Sequence, residues 1–232
     1  MYVAMNRFLV CALGLAAMAW SGTCAAQLDK ISNQDASSGL RAALEKGSQV
    51  AVANLGRTDG FFGNNAVKIL LPDSLKRYEK LMRRVGMGKY ADELILTLNR
   101  AAEAAVPEAK ALFVDAVKKM TVQDAKGILT GGSTAGTEYF KRTTSQPLRA
   151  KFLPIVAQAT KKVQLAEKYN EYAAQGAQFG LVKKEDANLD SYVTQKALDG
   201  LFFMVAEEEK KIRANPVQAG SDIIKKVFGA MK

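Results

Sequence analysis

Histidine, the residue type most useful for acid–base catalysis, is missing from this chain of 232 residues. Its absence excludes His-based catalytic triads and His-ligated zinc and removes the commonest general base. The two cysteines, Cys11 and Cys24, fall in the first 26 residues, which have the pattern of a cleaved signal peptide. The mature chain would then hold no disulfide, no thiol nucleophile and no Cys-ligated metal. We therefore expect neither a metal nor a cofactor, and these residue types favour a binding role over catalysis.

Three consecutive glutamates at 207–209 are candidates for a carboxylate site that binds a hard cation such as Ca²⁺ or Mg²⁺. Adjacent helical residues point about 100° apart, so at most Glu207 or Glu208 would contribute to one ion. The alternative is a solvated, salt-bridged helix face, because Glu207–Lys211 and Glu209–Arg213 are i, i+4 pairs in the favourable order. These pairs favour the salt-bridged face over a metal site.

A hydrolase that acts on envelope polymers is the catalytic alternative, and it would use carboxylates such as Glu103, Glu207 or Glu208. Paired carboxylates can act as general acid and base when the fold brings them together, and sequence spacing does not show such proximity. A cluster of buried carboxylates in a cleft would favour this alternative, whereas carboxylates facing solvent would oppose it.

The segment 201–206 (LFFMVA) is apolar around the whole circumference of a helix, which predicts that it lies at the centre of the domain. One interpretation is plain core packing. The other is that Phe202, Phe203 and Met204 form the wall of an apolar ligand cavity between helices. Asp199, one turn before Phe203, would then lie near buried surface and need a Lys or Arg partner.

Asn99 and Glu103 are polar residues on or beside a helix face otherwise made of Leu98, Ala101 and Ala102. If these polar side chains are buried, each must be hydrogen-bonded. They are predicted either to fix the register of the helix or to add polar groups to the same ligand site.

The glycine-rich loop 130–136 (TGGSTAG) precedes a predicted helix that carries Arg142. Glycines before a helix N-terminus expose backbone N–H groups that can hold an anion. The candidate anion-binding residues are Gly131, Gly132, Thr134 and Arg142. The alternative is an ordinary turn with Thr or Ser capping. The loop is not a Walker motif, because no lysine follows the glycines at the required spacing.

The elements that carry these residues are predicted to be helical, because apolar residues recur at i, i+3 and i+4 and no useful stretch alternates with period two. The fold class is therefore all-α, a single multi-helix, bundle-like domain. Helices are predicted at 38–55, 73–85, 90–120 with an interruption at Pro107, 121–129, 137–142, 145–159, 165–175, 190–214 and 221–228. Their predicted caps include Thr121 with Asp124 in a capping box, Ser145, and Asp190. The irregular stretch 57–72 is predicted to be an extended loop packed on the helices.

Residues 1–26 resemble a secretory signal peptide, with Arg7 before the apolar run 8–20 and small residues before a cleavage point after Ala26. The apolar run is shorter than the roughly 20 residues of a transmembrane helix, which disfavours a retained membrane anchor. Residues 27–36 are predicted to be a flexible lead-in, and 37–232 the helical domain. We expect an exported, periplasmic protein without a transmembrane span after cleavage.

The chain carries 33 Lys and Arg against 23 Asp and Glu, a formal net charge of +10. This charge attracts anionic partners such as phospholipid or lipopolysaccharide headgroups, or it serves only to keep the protein soluble. Basic doublets such as Arg83-Arg84 and Lys118-Lys119 are scattered over separate elements, whereas a nucleic-acid interface usually clusters them with aromatic residues. We therefore expect no nucleic-acid partner.

Several motifs resemble the bacterial family numbered 4197 among the domains of unknown function. They include G-L-x-x-A-L and L-G-x-x-D-G-F within 39–61, N-R-A-A-E-x-A-V-P at 99–107, and Y-V-T-Q-K-A-L-D-G-L-F at 192–202. The likeness covers essentially all of the mature chain. It implies an exported helical protein of Gram-negative bacteria and no particular activity. The chain departs from the family pattern at Leu70, where a proline is expected.

These observations lead to one main hypothesis and two alternatives. The main hypothesis is a non-enzymatic periplasmic helical protein that binds an apolar or amphiphilic ligand, such as a lipid, or an envelope partner. The alternatives are the carboxylate-dependent hydrolase and a purely structural or assembly role. A pocket favours ligand binding, whereas an exposed apolar patch without a pocket favours assembly.

Overall fold

The computed structural model describes residues 32–163, 166–171, 178 and 187–230, without the side chains of residues 77 and 78. The predicted signal peptide lies outside the described residues, as does most of the predicted loop at 176–188. The described part of the chain is helical and contains no strand, which confirms the all-α prediction. Its eight bounded α-helices are α1 Asn33–Leu55, α2 Asp73–Arg84, α3 Gly88–Ala105, α4 Ala109–Lys119, α5 Val122–Thr130, α6 Ala135–Thr160, α7 Leu189–Ala214 and α8 Asp222–Gly229.

The helices surround one continuous apolar core. Helix α1 packs against α7, α8, α4 and α5, while α6 packs against α7, α3 and α4. Phe113 of α4 lies at the centre, with its ring centroid 4.5 Å from that of Phe140 and 6.2 Å from that of Phe202. Tilted aromatic contacts of this kind stabilise a core beyond the area that they bury. Among the described residues, no helix combines the length and apolar character needed to cross a membrane.

Side-chain caps determine where two of the long helices begin. Helix α1 begins at Asn33 and not at Ser38, because the Ser32 hydroxyl accepts a hydrogen bond from the Asp35 amide at 3.0 Å. Residues 33–36 of the predicted lead-in are therefore helical. Helix α7 is capped by Asn188, whose amide oxygen accepts from the Ser191 N–H at 2.9 Å. The prediction that Asp190 caps this helix is wrong, because its carboxylate accepts a hydrogen bond from the Thr160 hydroxyl instead.

Two local predictions in the middle of the chain are confirmed. Pro107 separates α3 from α4 within a short 3₁₀ turn at Val106–Glu108, since proline cannot donate the backbone hydrogen bond that would continue the helix. Thr121 and Asp124 form a reciprocal capping box at the start of α5. In that box the Thr121 hydroxyl and amide lower the pKa of the Asp124 carboxyl, because both donate to its charged form.

Helix α6 runs unbroken through Ser145, Pro147 and Pro154, so the predicted break and new cap at Ser145 are wrong. The Ser145 hydroxyl does not cap; it donates to the Lys141 carbonyl within the same helix at 2.6 Å. Tertiary packing overrides the two prolines, because Phe140, Leu148, Phe152 and Val156 form a fully buried stripe across both positions.

Helix α8 approaches α1 closely at Gly39. A Cβ atom at this position would lie 2.5 Å from Val227 Cγ2 and 2.8 Å from the Ile223 carbonyl oxygen. We expect Gly39→Ala to lower the free energy of unfolding by about 1–3 kcal/mol, because α8 must move away. Urea denaturation followed by circular dichroism measures the change.

Gly127 in α5 provides the matched control, because a Cβ atom there would meet nothing within 4 Å. Gly127→Ala is expected to raise the free energy of unfolding by roughly 0.5–1 kcal/mol through helix propensity alone. Stabilisation by both substitutions would contradict the close contact between α1 and α8.

Candidate functional site

The irregular connection between α1 and α2, called here the connecting segment (residues 57–72), is held in place by Asn99 of α3. The Asn99 side-chain oxygen accepts from the Ile69 N–H at 2.8 Å, and its amino group donates to the Ile69 carbonyl at 2.8 Å. The same amino group donates to the Ile95 carbonyl at 2.7 Å. Asn99 is fully buried. Its side-chain amide makes with the Ile69 backbone the two hydrogen bonds that a neighbouring β-strand would otherwise make. Asn99, which was predicted to bind a ligand, therefore holds the connecting segment in place.

Glu103, one turn further along α3, holds the beginning of the connecting segment. Its Oε1 atom accepts from the backbone N–H groups of Phe61 and Phe62 at 3.0 and 3.1 Å. Its Oε2 atom accepts from Arg100 at 2.6 Å, and Arg100 also donates to Asp59 at 2.8 Å. The buried carboxylate is thus neutralised by an arginine and satisfied by backbone donors, as burial of a charge requires. Glu103 therefore anchors the chain and does not face a ligand.

The last part of the connecting segment is extended, and its side chains alternate between core and surface. Val67, Ile69 and Leu71 are buried, whereas Leu70 is 52% exposed. The segment lies close to α7 at Gly200, where a Cβ atom would be 2.7 Å from the buried Phe61 ring and 3.2 Å from Val67. A side chain at position 200 would push the segment away, so glycine allows the close approach.

An open groove of about 930 Å³ lies between the connecting segment and α7. Residues 66–71 form one wall and the outer face of α7, from Ser191 to Phe203, forms the other, with Lys76 of α2 and Arg149 of α6 also in the lining. The Tyr192 hydroxyl donates to the Leu70 carbonyl at 3.1 Å and so joins the two walls. This volume lies in the range of small-molecule binding sites.

The groove combines apolar and cationic surface. Leu70 and Phe203 expose their side chains there, the latter by 43%. The cationic residues of the lining are Lys68, Lys76, Arg149 and Lys196, against the acidic residues Asp73 and Asp199. Lys76 pairs with Asp73 at 2.7 Å, and this carboxylate raises the pKa of the Lys76 ammonium. Among the described residues, the other three cations have no carboxylate within ion-pair distance.

Two of these cations lie over aromatic rings, and the third joins a polar chain. The Lys68 ammonium is 3.9 Å from the Phe62 ring centroid, and the Lys196 ammonium is 5.7 Å from that of Tyr192. Arg149 donates to the Gln195 side chain, which in turn donates to Asp199 at 2.8 Å. The positive charges are therefore positioned by neutral neighbours and remain available to an anion.

Only two of the residues predicted to bind a ligand line this groove, Asp199 and Phe203. Phe202 points to the opposite side and packs in the core near Phe113. Met204 is half-buried, with its sulfur 3.9 Å from the Asn64 amide nitrogen. The segment 201–206 is thus core on one side and groove wall on the other, because the connecting segment leaves Phe203 uncovered.

The predicted anion site beside loop 130–136 is filled by a side chain of the protein itself. Glu209 of α7 accepts from the Gly136 N–H at 2.9 Å and from both the N–H and the hydroxyl of Thr137 at 2.8 Å. The same carboxylate receives two hydrogen bonds from Arg213 at 2.9 and 3.1 Å. A carboxylate at the N-terminus of α6 is favourable because the free N–H groups and the helix dipole are positive there.

The four residues named for the anion site are not brought together around a ligand. Gly131 and Gly132 are exposed in the loop, and Thr134 precedes α6 without a side-chain cap bond. Arg142 pairs with Asp124 of the capping box at 3.3 Å. Gly136, which sequence reasoning did not select, matters more, because a Cβ atom there would lie 3.1 Å from the Glu209 carboxylate.

The carboxylates that a hydrolase would need are separated and already engaged. Glu207 and Glu208 form i, i+3 pairs with Lys210 and Lys211, each at 2.8 Å. Glu103 and Glu209 are buried and accept hydrogen bonds from backbone and arginine. In the described part of the chain, no group of three or more acidic side chains is arranged to hold a metal ion.

Sequence reasoning missed most of the groove. Leu70, Lys68, Arg149, Tyr192 and Lys196 were not selected. One signal was present: in the run 67–71 the residues alternate between inward and outward positions, and Leu70 is the large apolar residue at an outward position. Arg149 and Lys196 carry no such signal, because their proximity depends on how α6 and α7 pack.

The fold and the groove together define a small all-α protein with an amphiphilic groove on its surface. The chain belongs to the family described as "Protein of unknown function (DUF4197)", whose model matches residues 30–229. This match confirms the resemblance noted from the motifs. Comparisons with curated proteins and with solved structures give no match.

Replacing Asn99 with leucine tests its role as the anchor of the connecting segment. Asn99→Leu leaves the N–H and the carbonyl of Ile69 without partners, which is expected to cost about 1–3 kcal/mol for each group. Urea denaturation measures the loss, and hydrogen exchange at the Ile69 amide is expected to accelerate. Thr97→Ala, which removes an exposed hydrogen bond within the same helix, is the control and is expected to change stability by less than about 0.5 kcal/mol. Equal stability of the two variants would contradict the anchoring role.

Two glutamates of α7, one buried and one exposed, give a second matched pair of variants. Glu209→Ala leaves Arg213 and the first amides of α6 unpaired in a buried place, and we expect a loss of about 3–5 kcal/mol in the free energy of unfolding. Glu207→Ala removes only an exposed ion pair and is expected to cost less than about 1 kcal/mol. Thermal and urea denaturation distinguish the two, and similar losses would show that Glu209 is not the structural carboxylate.

Proposed function

We propose that this protein is a non-enzymatic binding protein whose groove holds an amphiphile with an anionic headgroup, such as an acidic lipid or a fatty acid. The observation that carries the proposal is the mixed lining of the groove. Exposed Leu70 and Phe203 lie beside Lys68, Arg149 and Lys196, which have no carboxylate partner among the described residues. This pattern matches the two chemically different ends of one molecule.

The apolar part of the groove favours an acyl chain or another flat apolar group. Leu70 and Phe203 are large apolar side chains left exposed on opposite walls, and burial of each by a ligand releases ordered water. Fully covering such a side chain is worth about 1.5–3 kcal/mol. Covering the exposed parts of these two side chains supplies only a fraction of the about 8 kcal/mol that micromolar affinity requires, so the headgroup contacts must contribute the rest.

The cationic part of the groove favours a carboxylate or phosphate over a neutral headgroup. Lys68 and Lys196 place their ammonium groups over aromatic rings, and Arg149 is oriented by Gln195. An arginine held by one hydrogen bond still has donors for an anionic oxygen. A headgroup at this end would gain charge-assisted hydrogen bonds without displacing an internal ion pair.

The proposal places no reaction in the groove. The chain lacks histidine, and the two acidic residues of the lining are engaged: Asp73 with Lys76, and Asp199 with Gln195. We also propose export to the periplasm, which the signal-like pattern of residues 1–26 supports. There the protein would meet the acidic lipids of the envelope.

Mass spectrometry of organic extracts from protein purified out of the periplasm tests whether a natural amphiphile is bound. A mock purification from cells that lack the protein is the control. A stoichiometric acidic amphiphile is the expected result, whereas a blank extract together with no binding of added fatty acid would overturn the proposal.

Binding of a fluorescent fatty acid, 11-(dansylamino)undecanoic acid, tests where the ligand lies. Phe203→Ala removes apolar wall and Lys196→Glu reverses a charge, and each is expected to raise the Kd about tenfold, equivalent to about 1.4 kcal/mol. Outside the groove, Val217→Ala also truncates an exposed apolar side chain and Lys118→Glu makes the same charge reversal, and both are expected to leave the Kd unchanged. Retention of full affinity by both groove variants would contradict binding in the groove.

A further inference from the structure

The turn between α2 and α3 exposes a group of large apolar side chains, called here the hairpin tip (residues 80–90). Leu81 is 56% exposed, Val85 60%, Met87 46% and Tyr90 44%. Isolated exposed apolar residues are common on protein surfaces, but four within ten residues at one turn form a patch. Neither the core nor the groove uses any of these four side chains.

The hairpin tip projects away from the helical body. Among the described helices, α2 makes its main contact with α3. Gly86 adopts a positive φ of 79°, and the Met87 N–H donates to the Met82 carbonyl at 2.8 Å, which reverses the chain tightly. A Cβ atom at Gly86 would meet nothing within 4 Å. The apolar residues therefore lie on an exposed turn, and none of the described pockets includes them.

Basic residues surround the apolar tip. Four cations, Lys80, Arg83, Arg84 and Lys89, lie within it. Of the nearby acids Glu79, Asp92 and Glu93, the first two both bind Arg83, at 3.0 and 2.5 Å. The acids raise the pKa of the Arg83 guanidinium and leave the other three cations without an acidic partner among the described residues. The Lys89 ammonium lies 5.1 Å from the Tyr90 ring centroid.

We propose that the hairpin tip docks the protein onto the surface of an anionic phospholipid bilayer. Val85, Met87 and the other apolar side chains would enter the boundary between headgroups and acyl chains, where such residues bury about 5–10 Å deep. Lys80, Arg84 and Lys89 would contact lipid phosphates at the rim, as flanking basic residues do on anionic membranes. Tyr90, with an apolar ring and a polar hydroxyl, suits the same interface.

The charge and shape of the tip favour a bilayer over a protein partner. A second copy of this chain would bring the same positive charges together, which opposes self-association through the tip. An exposed apolar tip with a basic rim is complementary to a soft, negatively charged surface. The charge of the whole chain, +10, adds long-range attraction to the same surface.

Vesicle co-sedimentation with the purified predicted mature chain, residues 27–232, tests the proposal. The two probes are vesicles of phosphatidylcholine alone and of phosphatidylcholine with about 30% phosphatidylglycerol. We expect binding to the second kind only, with an affinity that falls as NaCl is raised because salt screens the basic rim. The double variants Val85→Asp/Met87→Asp and Arg84→Glu/Lys89→Glu are each expected to bind at least about tenfold more weakly.

Matched variants at exposed positions elsewhere control for charge and hydrophobicity. Val122→Asp/Val217→Asp repeats the apolar change and Lys110→Glu/Lys118→Glu repeats the charge change, and both are expected to bind vesicles like the unmodified protein. Circular dichroism confirms that each variant is folded.

Three results would overturn the proposal. They are failure to bind either kind of vesicle, equal weakening by the control variants, and a concentration-dependent dimer that the tip variants abolish without any vesicle binding. The last result would assign the tip to a second copy of the chain. Phe203→Ala, in the groove, is expected to leave vesicle binding unchanged, so the outcome is independent of the proposed ligand.

Discussion

The hydrogen bonds that Asn99 and Glu103 make with the connecting segment are the constraint on which the candidate site depends. The segment 57–72 has no helix or strand, and its internal turn hydrogen bonds leave the N–H groups of Phe61, Phe62 and Ile69 to find partners elsewhere. Helix α3 supplies the missing partners from two residues one turn apart, and the Arg100–Asp59 ion pair closes the arrangement at its exposed end. With the segment held there, its outward residues form one wall of the groove and α7 forms the other.

The same principle applies to the two buried carboxylates among the described residues, Glu103 and Glu209. Glu103 joins the connecting segment to α3, Glu209 joins the N-terminus of α6 to α7, and each pairs with an arginine on its own helix. Both carboxylates are therefore engaged in holding the fold together. In the described part of the chain, the groove holds cations without a carboxylate partner beside exposed apolar side chains.

Helix α2 connects the two proposed surfaces. Its first turn contributes Asp73 and Lys76 to the groove, and its end carries Leu81 into the hairpin tip. A helix of twelve residues spans about 18 Å. A protein docked through the tip would therefore hold its groove close to the membrane surface without inserting the groove into it. The two proposals are chemically consistent, since both concern anionic amphiphiles, and they rest on different residues.

The amino-acid sequence by itself determined the features that depend on neighbours in the chain. The helical periodicity, the interruption at Pro107, the capping box of Thr121 with Asp124 and the irregular character of 57–72 all follow from residues within about one or two turns of each other. Family membership also follows, because it is carried by motifs along the chain. Local signals were less decisive where packing overrode them, as in the unbroken helix α6 across its two prolines.

Only the tertiary structure decided what the polar and apolar candidates contact. Asn99 meets a residue 30 positions away, and Glu209 meets Gly136 at a separation of 73. Phe202 and Phe203 are adjacent and equally apolar, yet one is core and the other is groove wall, because a remote segment covers only one of them. The physical reason is that the burial and the contact partners of a side chain depend on how separate elements pack. Residue type and spacing show only which side chains each element carries and on which face.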